Sequence, residues 1–332
     1  MMRYLGVDGG GTKTDFMIID DKGKIWGYTR RNSCHYIEQS IDTFKKVLEE
    51  GVNEVCKKAN IDISNITYSF LGLPAFGEVD KDIPKLRKIV ENILKSKSYK
   101  CGNDVEVGWA GSLACQPGIN IVSGTGSIGY GIDQRGNKIR VGGWGYFCGD
   151  EGSGYWLGKK AIELFTKESD GRLEKTPIYC IIKDELNIER DFDLINIIYN
   201  ELAFKRSEIA SISKLLYKAA KKGDNYAKTI FKEAAYEQSL TIKAIIKKLD
   251  FNLNDNILVS YSGGVFNAGE YILSPLKEYV KNINKSIKIV EPIFKPITGA
   301  SLYALMLHKE KSSKDIINIL KFQEKTVFQR DL

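Results

Sequence analysis

Histidine and paired cysteine are scarce in this sequence. Its 332 residues include two histidines, His35 and His308, and six cysteines without a CxxC pair. Zinc sites built on histidine and the Ser-His-Asp triad are therefore poorly supplied, and scattered cysteines are typical of reduced thiols in a cytosolic chain. These shortages disfavour zinc-dependent and serine hydrolases before any motif is considered.

The sequence also lacks the patterns of a membrane span, a leader and a nucleic-acid surface. No apolar run approaches the ~20 residues of a membrane-spanning helix, and Asp8 comes too early for a secretory signal. The net charge of +7 comes with lysines interleaved with glutamates, as in KKVLEEGVNEVCKK, which indicates a solvated helix face. We therefore expect a cytoplasmic protein with neither a membrane nor a nucleic-acid partner.

The chain is too long for one ordinary hydrophobic core, so we expect two domains. The boundary is predicted near Gln116, which gives an N-terminal lobe of residues 1–116 and a C-terminal lobe of residues 117–309. A helical stretch at about 158–250 is expected to form an insertion in the second lobe. Residues 310–332 are expected to form a helix that packs on the first lobe.

Two stretches about a hundred residues apart follow the same plan. In residues 4–25 an apolar strand runs into a Gly/Thr turn at 10–12, alternates for one short strand, and turns again through Asp and Gly. Residues 119–143 do the same around a Gly/Thr/Ser turn at 124–127. Helical apolar spacing follows the first stretch at 38–60. This internal repeat predicts two homologous α/β lobes, each opening with a Gly-turned hairpin.

Glycine-rich turns follow three predicted strands, at residues 9–14, 124–127 and 262–264. Backbone N–H groups in such turns form anion-binding nests, and nearby hydroxyls add donors. One turn from each lobe can grip a polyphosphate across a cleft, while the third lets a flat base lie on the backbone. Neither a P-loop nor a dinucleotide fingerprint fits, because GxxxxGK[ST] is absent and GTGSIG is followed by alternation instead of a helix. The predicted phosphate-binding residues are Gly10, Gly11, Thr12, Lys13, Thr14, Gly124, Thr125, Gly126 and Ser127.

Two aspartates stand where predicted strands end. Asp8 closes the first strand beside the first glycine turn, where it suits either a Mg²⁺ ion held through water or a turn in which it bonds its own backbone. Asp104 stands where a strand turns into a helix, and it is either a general base for an attacking hydroxyl or the cap of that helix. The local sequence leaves both pairs of alternatives open.

The stretch GGWGYFCGDEGSGYW, residues 142–156, mixes flexible backbone, aromatic rings and paired carboxylates. Sugars are bound by carboxylates that chelate pairs of hydroxyls and by rings that cover apolar faces. The alternative is a junction loop with Trp144 and Trp156 in the core. We expect the tryptophans to be mostly structural and Asp150 to be functional.

Together these stretches resemble the sugar kinase, Hsp70 and actin superfamily. Within it they resemble the N-acetylglucosamine kinase group, which is classified with the BadF/BadG/BcrA/BcrD ATPases. The matching segments, GVDGGGTKT, GLPAFG, ND, SGTGSIGYGIDQRG, GGWGYFCGDEGSGYW, SGGVFN and ITGASLYAL, occur in family order over nearly the whole chain. The resemblance implies an α/β fold of two ribonuclease-H-like (actin/hexokinase-type) lobes around an ATP cleft, and it implies a homodimer.

The resemblance also implies roles for individual residues. Asp104 becomes the base at the primary hydroxyl of the sugar. The family's sugar-binding asparagine after the third strand falls here in RNSCHY, on Cys34 or His35 with Asn32 nearby. The implied adenosine-binding residues are Gly263, Gly264 and Asn267, and the implied substrate-binding residues are Asn32, Cys34, His35, Asp104, Gly143, Asp150 and Glu151.

Three functions are compatible with these observations. The leading hypothesis is an ATP- and Mg²⁺-dependent kinase that phosphorylates the 6-hydroxyl of N-acetylglucosamine or a related amino sugar, such as N-acetylmuramic acid or glucosamine. The second is an activator ATPase of the 2-hydroxyacyl-CoA dehydratase or benzoyl-CoA reductase type, with an iron–sulfur cluster for which Cys115 and Cys148 are candidate ligands. The third, a nucleotide-dependent binding module, predicts nucleotide binding that no sugar affects.

Overall fold

The computed structural model describes residues 1–251, 256–309 and 314–328. The chain forms two compact units. The first is Met1–Gln116 with the described part of Glu291–Leu332, and the second is the described part of Pro117–Val290. Among the described helices, none combines the length and the apolar character needed to cross a lipid bilayer.

Each unit contains one five-stranded sheet. The strands are β1 (Arg3–Gly9), β2 (Lys13–Asp20), β3 (Ile25–Asn32), β4 (Tyr68–Leu73), β5 (Tyr99–Asn103), β6 (Gly118–Ser123), β7 (Ser127–Ile132), β8 (Lys138–Gly142), β9 (Ile257–Ser262) and β10 (Ile287–Ile289). The helices are α1 (Ile41–Ala59), α2 (Ile83–Leu94), α3 (Asp104–Leu113), α4 (Gly154–Ser169), α5 (Pro177–Glu185), α6 (Asp193–Asn196), α7 (Arg206–Ser211), α8 (Ser213–Lys221), α9 (Asn225–Lys248), α10 (Glu270–Ile283), α11 (Pro296–Lys309) and α12 (Lys314–Phe328).

The two sheets have the same topology. The first has the order β3-β2-β1-β4-β5 and the second the order β8-β7-β6-β9-β10. In each, the first three strands are antiparallel because short turns join them, whereas the last two run parallel to the first and need longer crossovers. The internal repeat predicted from the two Gly-turned hairpins is therefore confirmed, as is the two-lobed α/β class.

Helix α1 shows how the apolar pattern of the sequence becomes core. Apolar residues spaced three or four apart along it lie on one face and are at most 1% exposed; they are Phe44, Leu48, Val52 and Val55. Ser40 caps the helix by accepting a hydrogen bond from the backbone N–H of Thr43 at 3.0 Å. The helix predicted within 38–60 is confirmed.

Most helices of the second unit lie between two of its strands, β8 and β9. Helices α4 to α9 follow β8 and precede β9, and their apolar faces form one large buried cluster with that sheet. This agrees with the insertion predicted at about 158–250. The insertion therefore supplies much of the core of the second unit.

Helix α11 lies with the first unit, whereas the predicted boundary put residues up to 309 in the second. The reason is close backbone packing. A Cβ added to Gly299 would lie 2.1 Å from the backbone N of Gly111 on α3. The hydroxyl of Ser301 also donates to the carbonyl of Met17 on β2 at 3.1 Å.

Helix α12 contacts the edge of the first sheet. The Oε1 atom of Gln323 accepts a hydrogen bond from the backbone N–H of Ile25 at 2.7 Å. The ring of Phe328 meets that of Tyr28 edge to face, with 5.0 Å between centroids. Of the helix predicted over residues 310–332, the segments 310–313 and 329–332 lie outside the described residues.

Candidate functional site

The carboxyl ends of β1, β4 and β5 lie at one edge of the first sheet, because these three strands are parallel. Asp8 is half-buried at that edge. Burial contributes most, and the neighbouring carboxylates of Asp15 and Asp104 add to it, so that the pKa of Asp8 is raised to about 7. The predicted metal ligand and the predicted base therefore lie close enough to interact electrostatically.

Asp104 is not the cap of its helix, which corrects one of the two alternatives for this residue. The cap is Asn103, whose Oδ1 accepts a hydrogen bond from Val105 N at 3.2 Å. The Nδ2 group of Asn103 donates to the carbonyl of Phe76 at 3.1 Å, which ties the start of α3 to the loop after β4. Asp104 is the first residue of the helix and is partly exposed. The capping explanation for its position is thereby removed.

The first glycine turn is closed by its own backbone and held from one side. Gly10 N donates to Lys13 O at 2.8 Å. Ser33, just after β3, donates its hydroxyl to Gly10 O at 2.8 Å. Thr14, predicted to donate to phosphate, is buried and donates to Asn32 O at 2.9 Å. Sequence reasoning missed Ser33, although a serine directly after the third strand was a visible signal.

The buried carboxylate of Asp15 forms an ion pair with Lys13, which was predicted to bind phosphate. Lys13 Nζ lies 2.9 Å from Asp15 Oδ2, and Arg30 Nε lies 2.6 Å from Asp15 Oδ1. Although burial raises it, hydrogen bonds from Arg30 and Lys13 leave the pKa of Asp15 below its ordinary value. Lys13 remains about half exposed, so its ammonium group is accessible. Neither Asp15 nor Arg30 was singled out from the sequence.

The three residues predicted around the family's sugar-binding position differ in accessibility. Cys34 is fully buried, and a Cβ on Gly9 would lie 2.7 Å from its sulfur. Burial raises the pKa of the Cys34 thiol to about 12, so this side chain packs behind the turn as a neutral thiol. His35 is partly exposed, with Nε2 at 3.9 Å from Glu38 Oε1. Asn32 is exposed and lines a polar cavity of about 670 Å³.

The second glycine turn and the GGWG…GDEGS loop form one hydrogen-bonded body in the second unit. Gly143 N donates to Ser127 O at 3.1 Å, and the Ser127 hydroxyl donates to Glu151 O at 2.7 Å. Gly154 N at the start of α4 donates to Gly124 O at 2.7 Å. The predicted phosphate-binding turn and the predicted sugar-binding loop are therefore held together by hydrogen bonds to backbone carbonyls.

Asp150, predicted to bind the sugar, is buried and hydrogen-bonded to other groups of the protein. It is 3% exposed, its Oδ1 accepts from Ser127 N at 3.3 Å, and its Oδ2 accepts from Arg206 at 2.5 Å. Glu151 is exposed, and its role in sugar binding stays a prediction. Trp144 was expected in the core but is 76% exposed, because glycines with positive φ at 142, 143 and 145 turn the loop outward.

The third glycine turn borders a cavity of about 560 Å³ in the second unit, a size typical of small-ligand sites. Gly263 has a φ of +101°, and a Cβ there would lie 2.3 Å from Ser123 O, so this turn packs directly on the second one. Exposed Gly264 and Asn267 line the cavity, as does Tyr217. The remaining lining residues are Gly124, Thr125, Gly154, Leu157, Ser207, Ala210, Ser211, Ser213, Lys214, Phe231, Val265 and Ala268.

Three glycines of the described chain combine an ordinary φ with no atom within 4 Å of an added Cβ. At most glycines an added Cβ would meet a neighbour within 4 Å, or the backbone has a positive φ. Gly11, Gly124 and Gly264 have an ordinary φ and open space where the Cβ would be. One of them lies in each of the three predicted ligand-binding turns. Space kept open beside the backbone is what a closely approaching ligand requires.

A family model described as the BadF/BadG/BcrA/BcrD ATPase family matches residues 5–304. The chain belongs to the BadF/BadG/BcrA/BcrD ATPase family. Membership of this ATPase family implies that the protein uses ATP. The resemblance seen in the sequence motifs is thus confirmed.

Two relatives of this BadF/BadG/BcrA/BcrD family member have curated activities. An N-acetylmuramic acid/N-acetylglucosamine kinase of Clostridium acetobutylicum is 33% identical over 294 residues, which cover 87% of this chain and 94% of the relative. An N-acetyl-D-glucosamine kinase of Dictyostelium discoideum is 28% identical over 311 residues, covering 91% and 97%.

The same fold occurs among solved structures. A proposed N-acetylglucosamine kinase from Chromobacterium violaceum superimposes on this family member with a TM-score of 0.67 at 23% identity, covering 92% of this chain and 99% of that one. At this identity the likeness supports the fold. The two-lobed sugar kinase architecture expected from the sequence is therefore confirmed.

Proposed function

We propose that this protein is an ATP-dependent kinase that transfers the γ-phosphoryl group to the 6-hydroxyl of N-acetylglucosamine or a related amino sugar. The observation that carries the nucleotide part is the set of open glycines, Gly11, Gly124 and Gly264, one in each predicted ligand turn. The kinase activities of the two relatives support the amino sugar as acceptor.

In this proposal the second unit binds most of the nucleotide. The cavity beside Gly264 and Asn267 holds adenosine, and the backbone of residues 124–127 binds phosphate oxygens through its N–H groups. Because Gly124 and Thr125 also line that cavity, the proposed adenosine site and the proposed phosphate site are adjacent. The Gly10–Thr14 turn of the first unit adds a second phosphate-binding backbone.

Asp104 is the proposed general base. Its carboxylate accepts the proton of the sugar 6-hydroxyl, whose oxygen attacks the γ-phosphorus while the bond to the β,γ-bridging oxygen breaks and ADP leaves. Asp104 suits this role because it is partly exposed near Asp8, at the first position of α3.

Asp8 fits a Mg²⁺ ion bound together with ATP. It offers hard oxygen atoms. Its pKa is raised mainly by burial and, to a smaller extent, by the negative charges of Asp15 and Asp104, which a bound cation would offset. Among the described residues no three His, Cys, Asp or Glu side chains are grouped to hold a metal, so water would complete the coordination. Bound Mg²⁺ supplies charge neutralisation at the phosphate oxygens.

The experiment that tests the proposal measures ADP release by purified protein with Mg-ATP. The acceptors are N-acetylglucosamine, N-acetylmuramic acid, glucosamine, N-acetylmannosamine, glucose and none. We expect at least one N-acylated or amino sugar to stimulate ADP release well above the sugar-free rate. Release that ignores every sugar would contradict the proposal, and protein isolated without air would then be analysed for iron.

The iron–sulfur alternative is less well supported by the cysteines it needs. Cys115 is buried, and burial raises the pKa of its thiol far above the ordinary value, which disfavours the thiolate that ligates a cluster. Cys148 is exposed in the loop of residues 142–156. A cytoplasmic homodimer stays a prediction, and light scattering of the purified protein tests its dimeric part.

Replacing Gly264 with alanine tests the adenosine site. We expect the affinity for a non-hydrolysable ATP analogue to fall by roughly 5- to 100-fold, since the added methyl group takes up ligand space. Stability should not fall, because the Cβ meets no neighbour and alanine suits a helical turn. Calorimetric titration and thermal unfolding measure the two effects. Unchanged nucleotide affinity in a folded variant would remove this turn from the site.

A further inference from the structure

Arg206 lies beside both predicted ligand-binding elements of the second unit, although no sequence motif marks it. Its Nη2 donates to Asp150 Oδ2 at 2.5 Å. A Cβ placed on Gly126 would lie 2.1 Å from the same Nη2, so the guanidinium rests directly on the predicted phosphate turn. The next residue, Ser207, lines the cavity assigned to adenosine.

Both oxygens of the Asp150 carboxylate are hydrogen-bonded in this arrangement. One oxygen accepts from Ser127 N and the other from Arg206, and the side chain is 2% exposed. Because the side chain is almost fully buried, sugar hydroxyls can donate hydrogen bonds to this carboxylate only if a neighbouring group moves away. The Ser127 N–H belongs to the backbone of a strand, whereas the Arg206 side chain is 37% exposed and carries the rotamer freedom of a long side chain. Arg206 is therefore the partner able to move.

The guanidinium has capacity for a second anion. A guanidinium carries five N–H donors, yet the Nε of Arg206 is buried without a hydrogen-bond partner. Its Cζ lies 5.9 Å from the ring centroid of Tyr146, which covers one side of the group. Phosphate oxygens are acceptors that a guanidinium prefers, and they carry more charge than one carboxylate.

We propose that Arg206 is a positioning residue that couples nucleotide binding to sugar binding. The guanidinium pairs with Asp150 when the nucleotide is absent and with the phosphates when the nucleotide is bound. When phosphates occupy the 124–127 turn they draw the guanidinium toward themselves, and the Asp150 carboxylate becomes available to sugar hydroxyls. This inference rests on the proposed function, because it needs phosphates at that turn.

The test measures this coupling by calorimetry, as the ratio of N-acetylglucosamine dissociation constants without and with a non-hydrolysable ATP analogue and Mg²⁺. In the wild-type protein we expect the analogue to tighten sugar binding by roughly 5- to 150-fold. Arg206→Gln should reduce the ratio to near 1, and Arg206→Lys, which keeps the charge, should restore part of it. Arg172→Gln is the matched control, since it breaks an exposed ion pair with Asp170 in the same unit.

Asp150→Asn separates coupling from a merely structural role, because the two predict opposite signs. The amide oxygen can still accept from Ser127 N, but the charge that competes for Arg206 is gone. We therefore expect the analogue to bind several-fold more tightly to Asp150→Asn and more weakly to Arg206→Gln. If the ion pair only held the turn in shape, both variants would bind the analogue more weakly.

The outcomes distinguish this inference from the proposed function. A ratio near 1 in the wild-type protein, or one unchanged by Arg206→Gln, overturns the coupling while nucleotide and sugar binding stand. A wild-type protein that binds no analogue overturns both. Since Arg206→Gln leaves a buried carboxylate uncompensated and can impair folding, the double variant with Asp150→Asn removes both charges. It should bind both ligands with a ratio near 1, and a wild-type ratio there overturns the inference.

Discussion

Replacing Asp104 with asparagine should lower kcat for the best sugar acceptor by about 10²- to 10⁴-fold, the usual contribution of a general base. The amide keeps the size and shape of the side chain but cannot accept the hydroxyl proton. ATP affinity should stay within about twofold, because the adenosine cavity belongs entirely to the second unit. Steady-state ADP release and calorimetric titration of an ATP analogue measure the two quantities.

A matched control for this variant is Asp42→Asn. Asp42 and Asp104 both lie in the first turn of a helix, α1 and α3, so loss of charge affects the two helix dipoles in the same way. Asp42 is exposed and lies outside the proposed site. Its variant should keep wild-type kcat. Near-normal turnover in Asp104→Asn would exclude it as the base, whereas equal losses in both variants would point to helix stability instead.

Replacing Gly299 with alanine should cause the largest loss of stability. The added Cβ would lie 2.1 Å from the backbone N and 2.3 Å from the Cα of Gly111, and backbone atoms cannot yield as a side chain does. Overpacking of this kind costs about 1–3 kcal/mol, so thermal unfolding should begin roughly 2–12 °C lower. Activity should fall as well, since α3 carries Asp104 at its first turn.

Gly264→Ala is the stability control, because the same chemical change there meets no neighbouring atom. Calorimetric scans of the two variants should show an early transition for Gly299→Ala and a wild-type one for Gly264→Ala. A wild-type transition in Gly299→Ala would mean that α11 and α3 tolerate a wider separation than their contact indicates.

The architecture was largely predictable because it rests on local patterns that repeat. The Gly-turned hairpins at 10–12 and 124–127 recur in sequence, and the two sheets recur in topology. The spacing of apolar residues and the residue types in the turns determine such elements within a short stretch of sequence. The placement of α11 was not predictable in this way, since its contact with Gly111 joins residues far apart in the chain.

The candidate site was only partly accessible to sequence reasoning. The sequence motifs allowed Asp8, Asp104 and the three glycine-rich turns to be predicted. Arg206 was missed because it lies in an unremarkable helical stretch, and only the fold brings it to Asp150. The burial of Cys34 was also hidden, since a residue next to a binding motif and a residue packed behind it look the same in sequence.

The return of α11 to the first unit has a consequence for biosynthesis. Residues 117–290 are, in covalent terms, an insertion in the first unit, whose sheet is covered at Gly6 by Ser301. During translation the second unit has its whole chain available before α11 leaves the ribosome, so it can complete its core first. The N-terminal segment, though made earliest, must wait for nearly the entire polypeptide before β1 is fully enclosed.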